Sequence, residues 1–269
     1  MFWCLDARVT PVLIPNTEVK PCSADDTLTG KVGRRQNRVL NGFFVIQKCY
    51  NSTMSHVENW QFGIEPPITS RGKENYFKNL DISPEFLHGK KILDIGSGMN
   101  VFAEEVKDYD LDLVSMDPFY ALSQEQQKGH IKENTKFENK GYSQLVAGKG
   151  EALPFADGTF DVILALMSLP YWSNNFDSVK NFFYEITRVL KSKGEARISP
   201  SSIGGCPIDV ILDGKLDHLD DGTSGEYLKR SLENLFDELR GKGCTIDFKT
   251  LNGNEHSKSY SKLLIISKD

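Results

Sequence analysis

The sequence predicts an α/β fold with a mostly parallel, doubly wound sheet. From about Gly89 onward, short apolar runs alternate with amphipathic stretches, which is the pattern of βαβ units. One of these runs ends in a glycine turn that leads straight into a helical pattern. A chain of 269 residues with 39% hydrophobic residues is long and apolar enough to bury one large core of this kind.

The individual elements follow from this alternation. The predicted strands are the apolar runs at Lys91–Ile95, Asp112–Met116, Gln144–Ala147, Phe160–Leu166, Glu195–Ser199, Thr245–Lys249 and Lys262–Ser267. Between the fourth and fifth strands, residues 176–190 place Val179, Phe182 and Ile186 on one face, which predicts an amphipathic helix. A shorter helix is expected near Glu74–Leu80.

The chain divides into an N-terminal extension, residues 1–60, and a main domain, residues 61–269. The extension begins with Pro11, Pro15 and Pro21 and shows no sustained period, so we expect an extended arm there. A helix is predicted to follow from Arg34 to Met54. Within the main domain, residues 201–242 lie between the last two structural blocks and are expected to form a substrate-side insertion.

Composition argues against several classes of partner. The 32 basic and 37 acidic residues leave a net charge of −5, so no overall positive field favours nucleic acid as a partner. No apolar run reaches the roughly 18 residues of a membrane span, and the start lacks a basic signal region. The five cysteines are far apart and none has Cys-x-x-Cys spacing, so we expect a reducing, cytoplasmic location and no metal site.

A glycine turn, Gly96-Ser97-Gly98, directly follows the first predicted strand. Without Cβ atoms its backbone can approach a nucleotide-like ligand, although a tight turn with no ligand remains an alternative. A dinucleotide site would need glycine where Val101 stands. Asp94 would also lie beside the pyrophosphate as a second anion. The residues therefore favour a cofactor with a positively charged amino-acid end.

A second acid, Asp117, closes the next strand and lies 21 residues after Gly96. From this position in a doubly wound fold, a carboxylate can accept hydrogen bonds from both hydroxyls of a ribose. A solvent-exposed loop acid is the alternative interpretation. The coincidence of both acids with the glycine turn favours a functional site.

Two further stretches resemble a known family. Residues 148–163 (GKGEALPFADGTFDVI) and residues 185–194 (EITRVLKSKG) are similar in order and spacing to class I S-adenosylmethionine-dependent methyltransferases of the UbiE-like, methyltransferase type 11 group. The resemblance covers roughly residues 90–190. It implies a Rossmann-like sheet of seven strands, mostly parallel with an antiparallel last strand. It also implies an enzyme that transfers the methyl group of S-adenosylmethionine.

The resemblance also implies roles for individual residues. Lys149 stands where the family commonly has an acid that accepts from the adenine amino group, and a lysine can only donate. Gly150 and Glu151 are therefore expected to contact adenine largely through their backbone. Asn100 replaces the third glycine of the motif and can adopt the left-handed conformation required there. The cofactor-binding residues implied in this way are Asp94, Gly96, Gly98, Asp117, Pro118, Gly150, Glu151 and Met167.

The acceptor, a small molecule or a protein, is expected at the loop after the fourth strand. Methyl transfer is an in-line displacement that needs positioning more than proton transfer, so we assign no catalytic base. The candidate acceptor-side residues are Arg71, Ser168, Tyr171 and Trp172. Two other functions remain open: a non-catalytic binding or regulatory protein with a methyltransferase-like fold, which Lys149 and Asn100 suggest, and a nicotinamide-dependent oxidoreductase, which Val101 disfavours.

Overall fold

A computed structural model describes residues 71–122, 127, 141–173, 175–203, 205–219, 223–251 and 262–269. Within these residues, seven strands form one sheet in the order β3-β2-β1-β4-β5-β9-β8, beside a small β6–β7 hairpin. The strands are β1 Lys91–Ile95, β2 Asp112–Met116, β3 Gln144–Val146, β4 Phe160–Leu166, β5 Leu190–Ser199, β6 Ser202–Ile203, β7 Cys206–Pro207, β8 Cys244–Thr250 and β9 Lys262–Lys268. The helices are α1 Lys73–Leu80, α2 Pro84–Leu87, α3 Val101–Glu105, α4 Phe176–Val189, α5 Ile208–Leu212 and α6 Gly225–Gly241.

The sheet confirms the predicted fold class and strand composition. Strands β1 to β5 pair in parallel, whereas β9 is antiparallel to both of its neighbours, β5 and β8. The strand order reverses between β1 and β4, since β2 and β3 extend to one side and β5 to the other. In an open α/β sheet, ligands bind beyond the carboxyl ends of the strands at such a switch point. The glycine turn that follows β1 lies there.

Side chains of β1 alternate between two apolar layers, because successive residues of a strand point to opposite faces. Ile92 packs in the layer formed by helices α1 to α3, together with Leu80, Leu87 and Phe102. Leu93 and Ile95 pack in the opposite layer, against α4 and α6. Asp94 therefore points toward the α1 side of the sheet.

Helix α4 matches its prediction and owes its bounds to local chemistry. The Asn175 side chain caps its first turn by accepting from the Ser178 N–H at 2.8 Å. The helix ends at Val189, one residue earlier than predicted, because Leu190 already begins β5. Its buried face, which includes Phe182 and Ile186, covers the sheet.

Residues 201–242 form more core than their sequence suggested. Helix α6 buries Leu228, Leu232, Leu235, Phe236 and Leu239 against the sheet, so it is a structural crossover that leads to β8. A substrate-side role for the rest of this segment stays a prediction. Helix α1 appears where a helix was expected near Glu74–Leu80. The N-terminal extension, residues 1–60, with its predicted arm and helix, lies outside the described residues.

Two findings concern membranes and metals. Among the helices of the described ranges, none combines the length and apolar character that crossing a bilayer requires. The same ranges contain no group of three or more histidine, cysteine, aspartate or glutamate side chains arranged to hold a metal ion.

Candidate cofactor and acceptor site

The glycine turn lies at the carboxyl end of β1, with left-handed φ angles of 75° at Gly96 and 55° at Gly98. Its N–H groups already have protein acceptors. Gly96 and Ser97 donate to the Met116 carbonyl at 2.8 and 3.3 Å, and the Gly98 N–H donates to Asp117 Oδ2 at 3.0 Å. The turn therefore does not aim these donors at a ligand phosphate, in agreement with the argument against a pyrophosphate.

Gly96 also touches the loop that follows β4. A Cβ at this position would stand 2.4 Å from Ser168 Cβ and 3.2 Å from Ser168 Oγ. Such a contact is far inside van der Waals distance, and the φ of 75° disfavours any other residue as well. The close approach joins the predicted cofactor turn to the predicted acceptor loop.

Asp94 is a buried carboxyl group with 1% exposure on the α1 side of the sheet. The Tyr76 hydroxyl, from helix α1, donates to both of its oxygens, at 3.0 and 2.9 Å. Burial raises the pKa of Asp94 to about 7, although the Tyr76 hydrogen bond opposes this rise and the charge of Asp117 adds to it. Asp94 is thus poised to change its charge near neutral pH.

Asp117 joins the ends of β1 and β2. Its carboxylate accepts the Gly98 N–H at Oδ2 and the Phe119 N–H at Oδ1, at 3.0 and 2.8 Å, and it has 8% exposure. Two residues of the following turn are close to it: Pro118 begins the turn, and the Tyr120 hydroxyl lies 2.8 Å from Ser97 Oγ. Burial raises the pKa of Tyr120, and the charges of both Asp117 and Asp94 raise it further. The tyrosine hydroxyl therefore stands near both acids.

The predicted adenine loop is bound to helix α4. Gly150 is buried, and a Cβ there would stand 2.7 Å from Leu169 Cδ1, so a larger residue would require the leucine side chain to move. Glu185 accepts the Leu153 N–H at 2.7 Å. Arg188 donates to the carbonyl oxygens of Leu153 and Phe155 at 3.0 and 2.7 Å. These hydrogen bonds attach the loop to helix α4.

Next to this loop, the side chains of Lys149 and Glu151 are exposed and half-buried, respectively. The replacement of the third motif glycine is also accommodated: Asn100 adopts the expected left-handed conformation, with φ 59°.

The loop after β4 has an unusual start. Met167 adopts a left-handed φ of 53°, its N–H donates to the Ser199 carbonyl at 2.6 Å, and its carbonyl accepts Trp172 Nε1 at 2.8 Å. Ser168 Oγ is buried and has no hydrogen-bond partner within the part of the chain that the structure describes. Tyr171 packs edge-on against Trp172, which is 39% exposed. The loop thus combines the Ser168 and Tyr171 hydroxyls with two aromatic rings, and Ser168 lies against the glycine turn.

Arg71 lies directly before helix α1 and is half-buried. Its Nη1 atom is buried without a hydrogen-bond partner among the described residues. Burial lowers the pKa of Arg71, and the guanidinium interacts electrostatically with Tyr76 and with Tyr171. The guanidinium therefore lies near both Tyr76 and Tyr171, and its buried Nη1 could donate to a ligand.

The structure gathers most sequence-predicted residues at one edge of the sheet, at or beyond the ends of β1, β2 and β4. Sequence reasoning missed Tyr76, Tyr120 and the pair formed by Glu185 and Arg188. The pair could have been predicted from the sequence, since Glu185 and Arg188 are three residues apart on one helix, within the stretch that resembles the family. The tyrosines could not have been predicted in this way, because their partners come from other elements. The described histidines, His88 and His218, are exposed.

Comparisons with known proteins agree with this geometry. Residues 93–198 match the family described as "Methyltransferase domain". Sterol 4-C-methyltransferase strm-1 of Caenorhabditis elegans is 32% identical over 158 residues, which are 54% of this chain and 44% of the relative. Uncharacterized methyltransferase YcgJ of Bacillus subtilis is 30% identical over 146 residues, 52% of this chain and 51% of the relative. This chain spans about half the length of these curated relatives.

A solved structure, 1,6-didemethyltoxoflavin-N1-methyltransferase of Burkholderia thailandensis, is similar with a TM-score of 0.40 at 14% identity. The match covers 69% of this chain and 76% of that one.

The sheet order, with the antiparallel strand β9, is that of a Rossmann-like α/β fold. With the family match, residues 93–198 are a class I S-adenosylmethionine-dependent methyltransferase domain of the methyltransferase type 11 family. This confirms the resemblance that the sequence showed. The cofactor of that family is S-adenosylmethionine.

Proposed function

We propose that this chain is an enzyme that transfers the methyl group of S-adenosylmethionine to a small-molecule or protein acceptor. One observation supports this above all: two buried carboxyl groups, Asp94 and Asp117, lie at the ends of adjacent parallel strands on either side of the glycine turn. A cofactor with a cationic amino-acid end and a ribose needs two such acids, whereas a pyrophosphate would be repelled by them.

The charges of the site fit the amino-acid end of the cofactor. Asp94 would face the ammonium group, and Arg71, whose buried Nη1 lacks a partner in the described ranges, would donate to the carboxylate. Gly96 and Gly98 would let this end lie against bare backbone. We therefore assign Arg71, first considered for the acceptor, to the cofactor.

The nucleoside would occupy the neighbouring part of the cleft. The Asp117 carboxylate, which accepts the Gly98 and Phe119 N–H groups, would also accept hydrogen bonds from the ribose hydroxyls. Pro118 would border the adenine ring, and Gly150 with Glu151 would supply contacts to its edge through their backbone. Met167, whose left-handed backbone follows β4, would line the cleft opposite them.

The acceptor would approach over Ser168, Tyr171 and Trp172. The bound cofactor supplies an electrophilic methyl group, and the protein has to hold the acceptor in line with it and exclude water. The two aromatic rings would shield the cationic centre, while the buried Ser168 hydroxyl could hydrogen-bond a polar acceptor. This division of roles needs no catalytic base.

Isothermal calorimetry tests the cofactor assignment. We expect S-adenosylmethionine and S-adenosylhomocysteine to bind with dissociation constants below about 1 mM, and NAD not to bind in that range. Failure of both sulfur compounds to bind the folded protein would refute the proposal, and binding of NAD alone would favour an oxidoreductase.

Transfer of labelled methyl groups to a panel of sterols, phenols, amines and peptides then tests the activity. Turnover on any of them would support an enzyme. Cofactor binding with no transfer to any class would favour the non-catalytic, regulatory alternative.

A further inference from the structure

One contact of Asp94 has no role in the cofactor-binding scheme proposed for this chain. A single hydroxyl, that of Tyr76, contacts both oxygens of Asp94 from a helix 18 residues earlier in the chain. We propose that Tyr76 is a positioning residue: it holds the Asp94 carboxyl group in the orientation that receives the ammonium group of the cofactor. This inference rests on the proposed function and deepens it.

The tyrosine has no freedom to place its hydroxyl elsewhere. Its side chain is only 3% exposed, and its ring stacks on Phe102 with centroids 4.1 Å apart and planes 8° from parallel. Phe102 belongs to helix α3, which begins directly after the glycine turn. This stack connects helix α1 to helix α3 and thereby to the glycine turn. It therefore fixes the position of the Tyr76 hydroxyl relative to the turn.

The groups around Asp94 make the hydrogen bond important for its charge. Burial and the nearby Asp117 both raise the pKa of Asp94, whereas the Tyr76 hydrogen bond lowers it. The Tyr120 hydroxyl interacts with the charges of both acids, and Arg71 interacts with Tyr76. Without the Tyr76 hydroxyl, the carboxyl would stay protonated to higher pH and would offer an ammonium group less negative charge.

A purely structural role would give a different result. If Tyr76 only attached helix α1 to the sheet, its loss would lower stability and would affect every ligand of the cleft alike. If it positions Asp94, its loss affects only ligands that possess the amino-acid end, and it moves the pH dependence of their binding. Two commercially available ligands differ in this respect: S-adenosylhomocysteine has the amino-acid end and 5′-methylthioadenosine lacks it.

The test compares Tyr76→Phe with wild type by calorimetry between about pH 6 and pH 8.5. The phenylalanine keeps the stack on Phe102 and removes the hydroxyl alone. Tyr109→Phe is the matched control, since Tyr109 packs against the same apolar layer and contacts Phe77, not Asp94. For wild type, affinity for S-adenosylhomocysteine should rise with pH through about 7, and affinity for 5′-methylthioadenosine should stay constant.

In Tyr76→Phe we expect S-adenosylhomocysteine to bind about tenfold more weakly at neutral pH, as for the loss of one hydrogen bond to a charged group. The pH midpoint should rise, and binding of 5′-methylthioadenosine should not change. An unchanged midpoint, or an equal loss for both ligands, would overturn the inference and leave the proposed function intact. If wild type binds neither ligand, both fail.

Should Tyr76→Phe not fold, Asp94→Asn replaces it in the test. The amide keeps Tyr76 in place but cannot ionise, so affinity for S-adenosylhomocysteine must lose its pH dependence. A persisting pH dependence would overturn the inference.

Discussion

Replacing Asp117 by alanine tests two roles of this residue, one in protein stability and one in cofactor binding. In the free protein its carboxylate accepts two backbone N–H groups, from Gly98 and Phe119, which would be left unsatisfied in a buried place. At about 1.5 kcal/mol each, as for hydrogen bonds to a charged group, the variant should lose about 3 kcal/mol of unfolding free energy and remain folded. Loss of two charge-assisted bonds to the ribose, at about 1.5 kcal/mol each, should weaken S-adenosylhomocysteine binding by about 100-fold.

Asp161→Ala is the control for this variant. Asp161 lies at the opposite end of the sheet and accepts the Lys91 N–H at 2.9 Å and the Lys191 ammonium at 2.7 Å. Its loss should lower stability while leaving cofactor affinity unchanged. Urea unfolding and calorimetry of both variants measure the two effects. The reasoning is refuted if Asp117→Ala binds S-adenosylhomocysteine as wild type does, or if Asp161→Ala weakens binding as much.

Three further predictions concern the turn, the loop and the buried acid. Gly96→Ala should lower the free energy of unfolding in urea by about 3 kcal/mol, because of the left-handed φ and the clash with Ser168. Gly89→Ala is the control: Gly89 is also left-handed, at φ 69°, but has open space around it, so the loss should be only about 1 kcal/mol. Equal losses would contradict the steric argument. Arg188→Met should weaken 5′-methylthioadenosine and S-adenosylhomocysteine by the same factor in calorimetry, because it frees the adenine loop; selective loss of one ligand would argue against this. Asp94→Asn should gain stability relative to wild type as pH rises from about 4 to about 7. In that window the unfolded wild type loses the Asp94 proton, whereas the folded protein, with its raised pKa, retains it; a constant difference across the pH series would show that Asp94 does not titrate there.

The fold was predictable because its signals are local. Each strand of the parallel sheet is a short apolar run, and β1 and β4 were placed to the residue since both are bounded by turns. Helix α6 was not predicted, although its apolar positions Leu228, Leu232, Leu235 and Leu239 recur at helical spacing in the sequence. The segment that contains it was assigned as a whole to a substrate-side insertion.

The relative positions of the candidate site residues were predictable where short motifs follow the ends of neighbouring strands. Gly96, Gly98 and Asp117 could be assigned because strand ends in a parallel sheet meet at one edge. Other contacts of the site join segments that are distant in the sequence: the Tyr120 hydroxyl contacts Ser97, 23 residues earlier, and Arg188 contacts Leu153, 35 residues earlier. Spacing along the chain contains no information on such contacts, because they depend on how loops and helices cross the sheet edge.

Burial of the Asp94 carboxyl group without a countercharge lowers the stability of the ligand-free protein. A carboxyl group enclosed in an apolar layer loses its hydration, and one tyrosine hydroxyl does not restore it, since the pKa of Asp94 remains at about 7. A cation of the ligand would supply the missing countercharge at the moment of binding. Sequences commonly depart from good packing rules at functional sites, and the proposed cofactor would compensate for this departure. Its ammonium group would neutralise the Asp94 carboxylate, whereas a pyrophosphate would add a second negative charge beside it.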